Sequence, residues 1–187
     1  MQHLPMAERK SEILEKIRFK RFALVTAHRA ENVDDPKVLK NFVEAFLEAP
    51  IPIVYPVHPR TRKKLRQQKM WRKLSSSENV QILPPLGYFD LLILMKNCQM
   101  ILTDSGGLQE EATAPPIRKP FLVIRLSTER PEAVEAGFAK VVGVQKKNIL
   151  AKMKSTLNKR GELPRFSPYG DGSAGKRIVE IVMKEVF

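Results

Sequence analysis

The apolar run Ile101–Thr103 ends in Asp104-Ser105-Gly106-Gly107 and passes into Leu108-Gln109-Glu110-Glu111. Two adjacent glycines let a backbone come close to a ligand, and a serine adds a hydroxyl. A helix opening at this point presents unpaired N–H groups and a partial positive charge, the chemistry that receives a phosphate. Glu110 or Glu111 falls about one turn further in, where a carboxylate can accept hydrogen bonds from ribose hydroxyls. The glycine pair is short, and it serves equally well as a tight turn packed against its surroundings.

Three further clusters share this form, polar residues directly after an apolar run. VTAHRAEN (25–32) supplies His28, Arg29, Glu31 and Asn32; a histidine and an arginine there suit a diphosphate, and a capped surface loop is the alternative. STERPEA (127–133) places Arg130 just before Pro131, offering phosphate a fork of donors or standing solvated. PVHPR (56–60) carries His58 and Arg60, where the flanking prolines make a turn the default. The run RTRKKLRQQKMWRK (60–73) could meet nucleic acid, but it holds one aromatic residue, Trp71, and no recognisable module. It reads as a solvated helix face. Three histidines and the lone Cys98 give no metal cluster. No Walker, GxGxxG or GxSxG pattern occurs.

These clusters need a scaffold that brings strand ends together. FALVTA (22–27), IPIVYPV (51–57), NVQIL (79–83), QMILTD (99–104), PFLVIR (120–125) and AKVVGV (139–144) are continuous apolar runs, the signature of strands buried on both faces. Between them, 36–49 has helical spacing through Val38, Leu39, Phe42, Val43, Phe46 and Leu47, with Pro36 near the first turn. Segments 88–97, 107–114 and 131–137 fill later gaps, and 173–187 carries Ile178, Val179, Ile181, Val182 and Val186 on one broad face. Strand–helix alternation predicts an α/β fold: an αβα sandwich with a Rossmann-like parallel sheet of about six strands. Ligands of such sheets bind at the carboxyl edge, where all four clusters fall. Residues 1–20, with a helix over 6–18, read as a connector; residues 21–187 read as one binding domain.

Lys and Arg number 33 against 20 Asp and Glu in 187 residues, a net charge of +13 that favours an anionic partner. A single cysteine rules out an internal disulfide and fits a reducing compartment. The N-terminus has no signal-peptide core, and no segment approaches the roughly 18 apolar residues of a membrane span. The expectation is a soluble cytoplasmic protein with no membrane or nucleic-acid partner and no cofactor.

The ordered set VTAHRAEN, PVHP, LGYFDLLILMKN, LTDSGGLQEEA, TERPEAVEAG and SPYGDGSAGKRI resembles the C-terminal half of the non-hydrolysing UDP-N-acetylglucosamine 2-epimerases, from about residue 20 onward. The resemblance implies half of a two-domain glycosyltransferase-B-like fold that binds UDP and UDP-N-acetylglucosamine in the interdomain cleft. It implies UDP contacts from His28, Ser105, Gly106, Gly107, Glu111 and Arg130, with backbone near Leu86 to Tyr88 framing the uracil and His28 beside diphosphate and sugar as the catalytic candidate. It implies a second, activating UDP-sugar site at Arg29, Glu31 and His58. The family reaction, in cell-surface polysaccharide biosynthesis, inverts C2 through elimination and re-addition of UDP. Its acid–base carboxylates lie in the N-terminal domain. The expectation is therefore a chain that binds UDP yet does not turn over alone, partnered by an N-terminal half or by copies of itself. A stand-alone UDP-sugar binder or remnant, and half of a related glycosyltransferase, are the alternatives. The stretch EEATAPPIRKP (110–120) departs from the family pattern: it is longer and has Arg118 where glycine is common.

Overall fold

A computed structural model describes residues 3–159 and 161–186; Met1, Gln2, Arg160 and Phe187 lie outside the described residues, as does the side chain of Val186. The elements in chain order are α1 (Leu4–Lys10), one 3-10 turn (Ile13–Lys16), β1 (Ala23–Thr26), α2 (Ala30–Val33), α3 (Pro36–Leu47) and β2 (Ile53–Pro56). There follow α4 (Pro59–Gln67), α5 (Trp71–Ser75), β3 (Val80–Leu83), α6 (Tyr88–Asn97), β4 (Met100–Thr103) and α7 (Gly106–Thr113). The chain continues through β5 (Phe121–Val123), α8 (Pro131–Glu135), β6 (Ala139–Val141), α9 (Lys146–Leu157) and α10 (Ala174–Val186). Each of the six expected apolar runs forms a strand.

The six strands make one sheet in the order β3-β2-β1-β4-β5-β6, and every pairing is parallel. This is the doubly wound order of dinucleotide-binding folds, with its topological switch point between β1 and β4. There the chain leaving β1 and the chain leaving β4 turn to opposite sides and open a crevice.

The continuous hydrophobicity of the strands follows from burial on both faces. Val25, Tyr55 and Leu102 point into one core with Phe42, Phe46, Leu65, Ile149 and Met153. Their neighbours Leu24, Val54, Ile101 and Val123 enter the other, against Leu92, Leu94, Met95 and Phe138. In the first core Phe42 and Phe46 stack at 6.0 Å between centroids, and Phe46 meets Tyr55 edge-on at 5.5 Å. Removing a ring such as Phe42 costs about 3–5 kcal/mol. α3 begins where the sequence signals it: Asp35 accepts hydrogen bonds from the Lys37 and Val38 amides, and Pro36 opens the first turn.

Three elements differ from the sequence reading. The expected helix over 6–18 is two short pieces, because Ser11 breaks it and its Oγ donates to Asp90 of α6 at 2.6 Å. Leu4, Ala7 and Ile13 are buried in the second core. The basic run 60–73 is split into α4 and α5 by Lys69, whose φ of 56° lies in the left-handed region. Arg62 and Arg66 lie over the Trp71 ring, so this face is basic and capped. α9 has no counterpart in the sequence reading, since it buries only Ile149 and Met153 along a narrow stripe.

Among the described residues no helix is long and apolar enough to cross a membrane, and no group of three or more His, Cys, Asp or Glu side chains could hold a metal ion. Cys98 is buried, which pushes its thiol up to about 12.

Candidate functional site

The carboxyl edge gathers the four polar clusters around α7. Its N-cap is Ser105, whose amide donates to Thr103 Oγ1 at 2.9 Å, while its side chain makes no capping hydrogen bond. Neither Gly106 nor Gly107 has a positive φ. A Cβ on Gly107 would meet nothing within 4 Å, and one on Gly106 only Glu129 Oε2 at 3.8 Å. Local packing and backbone conformation therefore leave these glycines unexplained. Gly107 is exposed and Gly106 buried in the first turn of this eight-residue helix, whose first amides have no partner within the helix.

Across the switch point, the loop after β1 is tied to the loop after β4 by one fully buried carboxylate. Asp104 accepts from the His28 amide at 2.9 Å, the Arg29 amide at 2.8 Å and Asn32 Nδ2 at 3.1 Å. His28 Nδ1 stands 3.5 Å from Asp104 Oδ1. The same loop is braced from below, where Tyr55 and Thr61 hydroxyls donate to the Ala27 carbonyl at 3.0 and 2.8 Å. His28 is thus held against Asp104, the residue before Ser105, with its ring partly exposed.

His58 is the N-cap of α4: its Nδ1 accepts from the Arg60 amide at 3.2 Å, so the neutral ring carries its proton on Nε2. Its ring lies 5.6 Å from that of His28. Arg60 is turned away and paired with Asp34. The expected substrate-site histidine and the expected activating-site histidine thus share one wall.

Arg130 precedes α8 and is paired through Nε with Glu110 of α7, and its Nη1 donates to the Glu129 carbonyl at 2.9 Å. Thr128 fastens this loop to α7 by donating to the fully buried Gln109 at 2.7 Å and accepting from the Arg130 amide at 3.1 Å. Glu129 reaches back, its Oε2 lying 3.9 Å from Arg29 Nη2. Its pairing with Arg125 holds the Glu129 carboxyl below the usual range.

Glu111 lies on the side of α7 that faces Tyr88. Burial pushes its carboxyl above the usual glutamate range, the Tyr88 hydroxyl draws it partway back, and Glu110 adds to the rise. Gly87, the N-cap of α6, and Tyr88 line a hollow of about 380 Å³ with Lys10, Phe89 and Asp90. Leu86 packs against the second core just before it. Glu31, expected with Arg29 and His58, instead turns to Arg125, which sequence reasoning missed. Asp104 was also missed as a site organiser. Its signal was present, an acidic residue at the end of an apolar strand, where only a buried hydrogen-bonding role stabilises it.

A doubly wound α/β domain with an open helix N-terminus and arginines at its switch point defines a nucleotide-binding class. The chain belongs to the UDP-N-acetylglucosamine 2-epimerase family, a family of carbohydrate isomerases, whose model matches residues 1–183. The UDP-N-acetylglucosamine 2-epimerase of Methanocaldococcus jannaschii is 41% identical over 165 residues, 86% of this chain and 44% of that protein. The Campylobacter jejuni enzyme is 40% identical over 176 residues, 88% of this chain and 44% of its own. The crystal structure of the M. jannaschii enzyme in complex with UDP-GlcNAc and UDP superposes with a TM-score of 0.86 at 38% identity, covering 98% of this chain and 51% of that one. The Neisseria meningitidis enzyme bound to UDP-GlcNAc gives 0.79 at 36% identity, covering 98% and 51%. The chain spans about half the length of the relatives it matches, and is one half of their glycosyltransferase-B-like arrangement.

Proposed function

We propose that this chain is the UDP-sugar-binding half of a UDP-N-acetylglucosamine 2-epimerase. The observation that carries the reading is α7: two glycines with no local steric or conformational reason stand at the open end of a helix, between His28 and Arg130. Ser105, the glycine amides and Arg130 receive the diphosphate, Glu111 the ribose, and the backbone of Leu86 to Tyr88 the uracil. Arg130 exchanges Glu110 for phosphate oxygens as it does so. UDP leaves as an anion during elimination, so these preorganised donors act on charge that grows in the transition state. His28, oriented by Asp104, stands where the sugar joins the diphosphate. Arg29 and His58 line the adjoining wall, where a second nucleotide sugar acts as an activator.

Taking the proton from C2 needs a base aimed at the sugar ring. Glu31, Glu110 and Glu129 are each held by an arginine in a phosphate-facing position. The base comes from a companion N-terminal half, and the chain alone binds without turnover. α10 supports the need for a further surface: Ile178, Val179, Ile181, Val182 and Met183 are 49–60% exposed along one helix.

Calorimetric titration with UDP and an epimerase assay test this together. The chain binds UDP, and Ser105→Ala with Arg130→Ala weakens binding, Arg130 accounting for about 1.5–3 kcal/mol. UDP-N-acetylmannosamine forms only when the N-terminal half is supplied. Unchanged affinity in the double variant removes the site assignment, and turnover by the chain alone removes the division of labour.

A further inference from the structure

We propose that Arg125 is a positioning residue of the diphosphate site, holding the segments that carry Arg29 and Arg130 on either side of the α7 N-terminus. The inference rests on the UDP reading of that site. Arg125 follows β5 at the carboxyl edge, and its side chain is only 10% exposed. Its Nε donates to Glu31 Oε1 at 2.8 Å and its Nη2 to Glu129 Oε1 at 3.1 Å. Glu31 lies two residues beyond Arg29, and Glu129 immediately precedes Arg130. One rigid fork therefore joins α2, which follows β1, to the loop that follows β5. Its Nη1 is buried without a hydrogen-bond partner among the described residues. An unpaired buried donor costs stability, which fits a side chain retained for the site more than for the core.

The fork also has an electrostatic task. Glu129 Oε2 stands over the first turn of α7, 3.8 Å from where a Cβ on Gly106 would be. That is the approach of an anionic ligand. Arg125 offsets this charge and that of Glu31; without it Glu31 loses its arginine and Glu129 keeps only the longer contact with Arg29, so more negative charge faces the diphosphate.

UDP titrations of Arg125→Met, Arg125→Lys, Glu129→Gln and Arg125→Met with Glu129→Gln, each run below its own melting temperature, test this. Arg125→Met weakens UDP at least about tenfold. Arg125→Lys, able to hold one carboxylate, loses less. Adding Glu129→Gln to Arg125→Met recovers at least about threefold, because it removes a carboxylate charge from the approach of the diphosphate. Glu129→Gln in the parent chain gains less than it gains in Arg125→Met; equal gains in both backgrounds show that Arg125 does not offset that charge and overturn the proposal. Affinity of Arg125→Met within about twofold of the parent chain, or a double variant weaker than the single, overturns the proposal. If Arg125→Met does not fold, Arg125→Lys with and without Glu129→Gln carries the same test, and unchanged affinity in Arg125→Lys overturns it. Absence of UDP binding by the parent chain overturns the site reading itself, and with it this inference.

Discussion

Replacing Asp104 by alanine removes the acceptor that joins the two loops of the crevice. Three donors lose their partner: the His28 amide, the Arg29 amide and Asn32 Nδ2. Hydrogen bonds to a charged acceptor contribute about 1.5–3 kcal/mol each, and donors left unpaired cost about 1–3 kcal/mol each. Water reaches the partly exposed His28 and Arg29 and offsets part of this, whereas Asn32 is buried and keeps a second acceptor in the Ile124 carbonyl at 3.3 Å. The net expectation is a loss of about 3 kcal/mol. For a domain of this size that lowers the melting temperature by about 6–12 °C. Asp104→Asn retains one oxygen but turns an NH₂ towards donors, so it falls between the two. Urea denaturation followed by circular dichroism measures stability, and calorimetry measures UDP affinity on the still-folded protein. Both fall together, since the carboxylate both fastens and orients His28. An Asp104→Ala chain within about 0.5 kcal/mol of the parent refutes the assignment of Asp104 as the tie between the loops.

Glu111 sets a pH dependence. Its carboxyl sits above the ordinary glutamate range in the folded chain, so the ionised form is lost on acidification sooner than usual. UDP affinity therefore declines as pH falls through that raised value, and Glu111→Gln, already weaker, lacks this limb in a calorimetric pH series. The same shift makes folding stability decrease as pH rises from the unfolded-chain value through the folded one. Arg118 has a φ of 42°, and its guanidinium donates to the carbonyls of Pro164 and Leu163 at 3.0 and 2.5 Å. Arg118→Ala loses both bonds and keeps the strain, costing about 2 kcal/mol, while Arg118→Gly is about 1 kcal/mol more stable than Arg118→Ala; equal urea midpoints count against the strain argument. Ile178→Glu with Ile181→Glu changes the stability of the isolated chain by less than about 0.5 kcal/mol, because both positions are 60% exposed, and it lowers self-association in sedimentation velocity; a large loss of stability shows that α10 packs on the domain.

The strands, most helices and the polar clusters were legible because their signals are local. Burial on both sides makes a parallel strand uniformly apolar, as in Ala23–Thr26 and Met100–Thr103, and a cap with a proline marks the start of α3. The segments Thr128–Arg130 and Asp104–Gly107 were legible as strand ends opening into helices. Side-chain partners across the sheet were not. Nothing in HRAEN indicates that Glu31 pairs with an arginine 94 positions later, or that Asp104 fastens a loop 76 positions earlier. Those pairings exist because the order β3-β2-β1-β4-β5-β6 sets β1, β4 and β5 side by side. The helix break at Ser11 likewise depends on Asp90, 79 residues away, and the left-handed turn at Lys69 breaks a run that reads as one helix. Sequence alone determined which residues lie at strand ends, because each buried strand is a continuous apolar run that stops at polar residues. Only the tertiary structure decided which of those ends meet, because strand order is a property of packing between distant segments.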